Sequence, residues 1–154
     1  MNVEVRELES VRLAYLRHTG PYSECSGAWE ALLTPLGAHG WIGPGSTFIG
    51  LCHDDPEVTP PQKLRYDACV TVDETFVPAG DIGAQVIGGG TYAMTTHFGS
   101  FETIGDSYAE LMGQWLPRSG YEVRGAPCLE VYHNDPETTA PEDLVTDILV
   151  PLEE

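Results

Sequence analysis

The chain has 154 residues, the size of one ordinary domain, and 42% of them are hydrophobic, which is enough for a sizeable core. It carries 24 acidic and only 7 basic residues, so its formal net charge is −17. This balance excludes binding to nucleic acid driven by phosphate contacts, which needs clustered Lys and Arg. It favours cationic partners, or simply solubility. The polar N-terminus and the lack of a long apolar run predict a cytoplasmic protein without a signal peptide or a membrane span.

The first half of the chain reads as strands and one helix. Alternating apolar and polar residues predict a strand at 3–8, and further strands are predicted at 11–19, 47–53 and 64–72. Between the second and third strands, Gly20-Pro21 opens a predicted helix, since proline is tolerated at a first helical position. Its apolar stripe is Trp29, Leu32, Leu33 and Leu36, and Gly37 and Gly40 are expected to end it.

The second half gives the same order of elements. Strands are predicted at 82–87, 91–98, 128–133 and 144–151, with a helix at 101–117. The first two of these strands are expected to form a hairpin, joined by a turn at Gly88-Gly89-Gly90. The fold class that follows is α+β, built from antiparallel sheets with one long helix in each half.

Direct sequence matches indicate that the halves are an internal repeat. Residues 54–61 return at 134–141, a shift of 80 positions, and His53 falls on His133 in the same register. Upstream the shift is 79, because of one loop insertion, and there His18 falls on His97 and Trp29 on Tyr108. We therefore predict one domain, 1–154, made of duplicated ββαββ units at 1–74 and 80–154.

Glu130 is the residue that most clearly separates the two predicted copies. It interrupts an otherwise apolar or small-residue strand, and Gly50 is its counterpart in the first copy. Alternation places it on the same strand face as Cys128 and Tyr132. A buried carboxylate is costly unless it is paired. On the strand pattern alone, Glu130 either faces solvent or lies in a site that a cationic group completes.

Two segments, 16–22 and 127–136, with the pattern Pro127-x-x-Glu130-x-Tyr132, resemble the GyrI-like small-molecule-binding family. That family includes DNA gyrase inhibitor proteins and the effector-binding domains of AraC-type and MerR-type transcription regulators. The resemblance implies a pseudo-twofold arrangement with a ligand cleft between the two units. It also implies multidrug binding, in which a cleft glutamate, here Glu130, meets lipophilic or cationic aromatic ligands.

The resemblance names further candidate ligand contacts and a runner-up activity. Aromatic residues from both helices often line the cleft in the family, which makes Trp29 and Tyr108 candidates. Tyr132, beside Glu130, and Gly50, the counterpart of Glu130 in the first copy, are the other candidates. The chain lacks a helix-turn-helix segment, so we expect a stand-alone effector-binding domain that does not control transcription directly. We favour a binding protein over an enzyme. The alternative is a hydrolase of alkylating compounds with Glu130 as general base and Tyr132 or Tyr108 as donor. A third reading is inhibition of DNA gyrase through protein contact.

No cofactor or metal is predicted. The histidines at 18, 53, 97 and 133 make a symmetric metal site conceivable, but the stretch from His53 to Pro56 reads better as a strand end followed by an Asp-Pro turn. The four cysteines show no CxxC pair, which argues against structural zinc. The sequence leaves open the natural ligand and the oligomeric state.

Overall fold

A computed structural model describes residues 1–154. The chain divides into two compact units: unit 1 is Met1–Glu9 together with Gly89–Glu154, and unit 2 is Ser10–Gly88. Both are α+β with antiparallel strands, in agreement with the predicted class. In chain order the strands and longer helical segments are β1 (Glu4–Leu8), β2 (Val11–Thr19), α1 (Ser26–Ala38), β3 (Phe48–Cys52), β4 (Arg65–Thr71), β5 (Gly83–Ile87), β6 (Gly90–Phe98), α2 (Ile104–Glu110), a π-helical turn (Leu111–Trp115), α3 (Leu116–Ser119), β7 (Cys128–Tyr132) and β8 (Val145–Pro151).

Unit 2 is a four-stranded sheet, in the order β3-β4-β2-β5, packed on α1. Three α1 residues four positions apart, Ala28, Leu32 and Leu36, are buried, because this spacing puts them on one helix face. They pack on a cluster that includes Ala14 and Val70 from the sheet. The remaining members of the predicted stripe, residues 29 and 33, are half-buried against the same cluster.

Unit 1 repeats this arrangement with the strand order β1-β6-β8-β7. Its core contains Leu111 from the helical stretch and Ile148 and Val150 from β8, all at most 1% exposed. The predicted helix at 101–117 is a chain of helical segments that runs from a 3-10 turn at Phe101–Thr103 to α3. It ends at Gly120, whose φ of 81° is the left-handed conformation that glycine adopts most easily.

The expected hairpin of β5 and β6 is wrong. β5 pairs antiparallel with β2 of unit 2, and β6 pairs with β1 of unit 1. Gly88, Gly89 and Gly90 all have positive φ, which glycine adopts easily, and the chain passes there from unit 2 into unit 1. Alternation specifies that a segment is a strand and which face is buried, but it does not specify the neighbouring strand.

The predicted repeats and the compact units differ in where they place β1 and β5. The repeats at 1–74 and 80–154 would keep β1 with the first half and β5 with the second, whereas the compact units assign β1 to unit 1 and β5 to unit 2. The duplication itself stays a prediction.

The structure also extends α1 through Gly37 to Ala38, and the chain turns at Gly40 with φ of 77°. None of the helices combines the length and the apolarity needed to span a membrane.

Candidate functional site

Glu130 lies at the middle of β7, opposite Ile148 of β8, and only 9% of its surface is exposed. Its sequence neighbour Leu129 is 4% exposed, so both faces of β7 are covered at this point. The solvent-facing alternative for Glu130 is therefore wrong. A buried carboxylate loses hydration worth several kcal/mol. Its oxygens must accept hydrogen bonds to offset that loss.

Two tyrosines supply those hydrogen bonds within unit 1. The Tyr108 hydroxyl donates to Glu130 Oε2 at 2.6 Å, and the Tyr132 hydroxyl donates to Oε1 at 2.8 Å. Tyr132 is two residues along the same strand, on the same face, whereas Tyr108 reaches the carboxylate from α2. Hydrogen bonds to a carboxylate are short and contribute about 1.5–3 kcal/mol each. A phenol donor satisfies an oxygen of an ionised Glu130 without adding positive charge.

A further aromatic ring packs on one of these tyrosines. Phe101 meets the Tyr132 ring edge to face, with ring centroids 5.7 Å apart and planes at 78°. This geometry suits the ring quadrupole and restricts the tilt of Tyr132. The structure thus brings together three of the predicted site residues, Glu130, Tyr132 and Tyr108. The sequence reasoning did not name Phe101 as a site residue, although it stands where the predicted repeat places Tyr22.

The two remaining predicted site residues, Trp29 and Gly50, belong to unit 2. Trp29 lies on α1 and donates its indole N–H to the Tyr66 hydroxyl at 3.0 Å. The Tyr66 ring also contacts Tyr22, with centroids 5.9 Å apart. Gly50 is buried in β3 opposite Ala68. Unit 2 therefore holds an aromatic cluster of residues 22, 29 and 66, and in the predicted repeat register it has a glycine where unit 1 has a glutamate.

A second buried carboxylate was not predicted as a functional residue. Asp67 of β4 is fully buried and accepts hydrogen bonds from Arg17 at 2.8 and 3.0 Å and from Gln85 at 3.1 Å. His53 Nε2 lies 2.8 Å from Asp67 Oδ2. Burial by itself would raise the pKa of Asp67, but the hydrogen bonds from His53, Arg17 and Gln85 outweigh it and hold the pKa well below its usual range.

The signal that could have identified this network was weak. Arg17 is inside one of the segments that resemble the family, and Asp67 matches Asp147 in the repeat. In unit 1, His133 Nε2 lies 2.7 Å from Asp147 Oδ2, so the His–carboxylate pair occurs in both units. A side-chain pair that occurs in both units is typical of a structural role. No group of three or more His, Cys, Asp or Glu side chains is arranged to hold a metal ion.

These observations place the chain among the α+β domains with antiparallel sheets whose helices cover one sheet face. Its sequence matches the GyrI-like small molecule binding domain over residues 1–153. The chain belongs to the GyrI-like family.

Curated relatives carry two kinds of name. A DNA gyrase inhibitor of Erwinia billingiae is 31% identical over 140 residues, which is 88% of each chain. A probable transcriptional regulator, YgiV, of Escherichia coli K12 is 36% identical over 109 residues, which is 70% of this chain and 68% of that protein.

Solved structures support the fold. The C-terminal domain of EcmrR superimposes with a TM-score of 0.80 at 20% identity, covering 99% of this chain and 98% of that one. A structure of SAV2435 bound to tetraphenylphosphonium gives 0.69 at 18% identity, covering 99% and 94%. At these identities the likeness concerns the fold alone.

Proposed function

We propose that the chain is an effector-binding protein that takes a lipophilic, cationic aromatic molecule at Glu130. The observation that carries the proposal is the buried Glu130 carboxylate held by the hydroxyls of Tyr108 and Tyr132. Both donors are neutral hydroxyls, so neither of them cancels the negative charge of an ionised Glu130. The tetraphenylphosphonium in the SAV2435 structure is a ligand of this chemical class.

Aromatic rings supply the second part of the proposed recognition. Tyr108 and Tyr132 contact the carboxylate in unit 1, Phe101 packs on Tyr132, and a ring face attracts a cation by about 0.5–2 kcal/mol. Unit 2 has its own aromatic cluster, and there we propose Trp29 as a further ligand contact. Gly50 would leave room for a bulky ring because it has no side chain. The net charge of −17 raises the local concentration of any cationic ligand.

The test is a titration of a fluorescent rhodamine cation, followed by anisotropy, with tetraphenylphosphonium as a competitor. Glu130→Gln keeps the size of the side chain and removes its charge. We expect binding to weaken about tenfold or more, which corresponds to about 1.4 kcal/mol. The control is Glu137→Gln, an exposed residue in the loop after β7, which changes net charge by the same amount. Its affinity should stay within about twofold of wild type.

Equal weakening in both variants would show that only overall charge attracts the dye, and would remove Glu130 from the site. Equal affinity in wild type and Glu130→Gln would do the same. Circular dichroism of both variants confirms that each is folded before the comparison is made.

The alternative function is hydrolysis of a reactive, alkylating small molecule, with Glu130 as general base. The observation in its favour is the pair of phenols at 2.6 and 2.8 Å, either of which could donate a proton to a leaving group. Mass spectrometry of candidate substrates after incubation tests this. Turnover that is lost in Glu130→Gln supports it, whereas turnover that survives the substitution contradicts it.

Inhibition of DNA gyrase is a further candidate function, and the name of the Erwinia billingiae relative is what supports it. A supercoiling assay with purified gyrase decides this point. Inhibition at stoichiometric protein would support direct contact with the enzyme, and unchanged supercoiling at that ratio would exclude it.

A further inference from the structure

His97, near the end of β6, holds a serine hydroxyl in unit 1. The imidazole is 5% exposed, its Nδ1 lies 2.7 Å from Ser107 Oγ, and its Nε2 lies 2.9 Å from the carbonyl oxygen of Ser100. A carbonyl oxygen can only accept, so Nε2 carries the ring hydrogen. In the neutral imidazole Nδ1 is then an acceptor, and the Ser107 hydroxyl donates its proton to it. This is the arrangement of a general base and a hydroxyl nucleophile.

The corresponding histidine of unit 2 shows that the serine is not needed for the structural role. His18 of β2 makes the same bond to a carbonyl three residues later, from Nε2 to Pro21 O at 3.0 Å. The position that the predicted repeat aligns with Ser107 is Ala28. A histidine can thus tie the end of the strand to the following turn without a serine partner.

Ser107 also lines a cavity of about 400 Å³ in unit 1. Met94 and Phe98 give that cavity an apolar wall. Its polar lining includes Asn2 and the ion pair of Arg6 with Glu4, together with Glu110. Phe98 is 73% exposed and stands at the rim. A cavity of this size and mixed lining suits a small molecule with a short apolar chain and a polar carbonyl.

We propose that Ser107 and His97 form a nucleophile and base pair that hydrolyses small carboxylic esters with an apolar acyl group. Ser107 Oγ attacks the ester carbonyl carbon while its proton passes to His97 Nδ1. The bond from the carbonyl carbon to the alkoxy oxygen then breaks, and His97 returns the proton to the leaving alkoxide as an alcohol. Water attacks the acyl-serine, His97 takes its proton and delivers it to Ser107 Oγ, and a carboxylic acid is released. This site does not use Glu130.

The experiment measures p-nitrophenolate release from p-nitrophenyl butyrate and maps the butyryl adduct by tandem mass spectrometry. We expect wild type to carry the adduct on Ser107 and Ser107→Ala to lose the adduct and about 100-fold in rate. The control is Ser119→Ala, at the last residue of α3, whose hydroxyl donates to the Leu116 carbonyl. Its rate should match that of wild type.

A second variant, His97→Gln, tests the base. We expect it to be folded and to lose acylation of Ser107, and if it is unfolded the serine variants decide alone. A wild-type protein without the adduct, or a rate that Ser107→Ala retains, overturns the proposal. Retention of the adduct in a folded His97→Gln overturns the role of the histidine.

Discussion

The Tyr108 hydroxyl lies 2.6 Å from Glu130 Oε2, which joins a residue of α2 to the middle of a strand 22 positions later in the chain. This bond holds α2 against β7, because burial of the carboxylate costs more free energy when an oxygen lacks a hydrogen-bond donor. It also fixes where an ionised Glu130 presents its charge. The proposed function therefore links ligand binding to stability through this hydrogen bond.

Tyr108→Phe should lower the free energy of unfolding by about 1.5–3 kcal/mol, because a buried carboxylate oxygen loses a charge-assisted donor. Urea unfolding followed by circular dichroism measures the change. Tyr121→Phe is the control, since Tyr121 is 40% exposed, and it should change stability by less than about 0.5 kcal/mol. An unchanged Tyr108→Phe would mean that water replaces the phenol without loss.

Asp67→Asn should destabilise the protein by about 3 kcal/mol at neutral pH, since it removes the carboxylate from a buried network with Arg17, His53 and Gln85. Asp147→Asn is the matched control, because the Asp147 side chain is 17% exposed in the corresponding strand of unit 1. Its loss should be smaller. Equal losses would show that burial of Asp67 does not set the energy of the network.

The same network predicts a pH dependence with a definite sign. The folded state holds the pKa of Asp67 below its ordinary value of 3.8, so the carboxylate contributes its full stabilisation above about pH 5. As the pH falls through 3.8 the unfolded chain takes up the proton first, and the free energy of unfolding decreases. The gap in stability between wild type and Asp67→Asn should therefore narrow between pH 5 and about pH 2.5. A gap that stays constant over that range contradicts the lowered pKa.

Gly90→Ala should be destabilising by about 1–3 kcal/mol for two reasons. Gly90 has a φ of 116°, and a Cβ there would collide with the Arg124 guanidinium. That guanidinium is held over the Tyr92 ring at 5.1 Å and donates to the Gly89 carbonyl at 3.1 Å, so it cannot move away freely. Gly125→Ala is the control, since open space surrounds its position, and thermal melts should show it close to wild type.

Local sequence patterns determined much of the secondary structure. The alternation at 3–8 and the helical spacing of Trp29, Leu32 and Leu36 depend on the geometry of strands and helices, which is set within a few residues. Glu130 also stood out from the sequence, because a carboxylate in an apolar strand requires either solvent or partners. The pattern could not tell which of the two it has.

Only the tertiary structure decided which strands pair and which side chains form hydrogen bonds. The placement of β1 beside β6 and of β5 beside β2 depends on pairing between distant segments. The alternation within a strand does not specify which strand it pairs with. The complete burial of Asp67 likewise required Gln85, which comes from the exchanged strand β5. The pairing of Ser107 with His97 joins a helix to a strand end across a turn. The sequence by itself thus determined which segments are strands and helices and which carboxylate is unusual. Long-range packing decided the strand neighbours and the hydrogen-bond partners, because these depend on where the whole chain is placed.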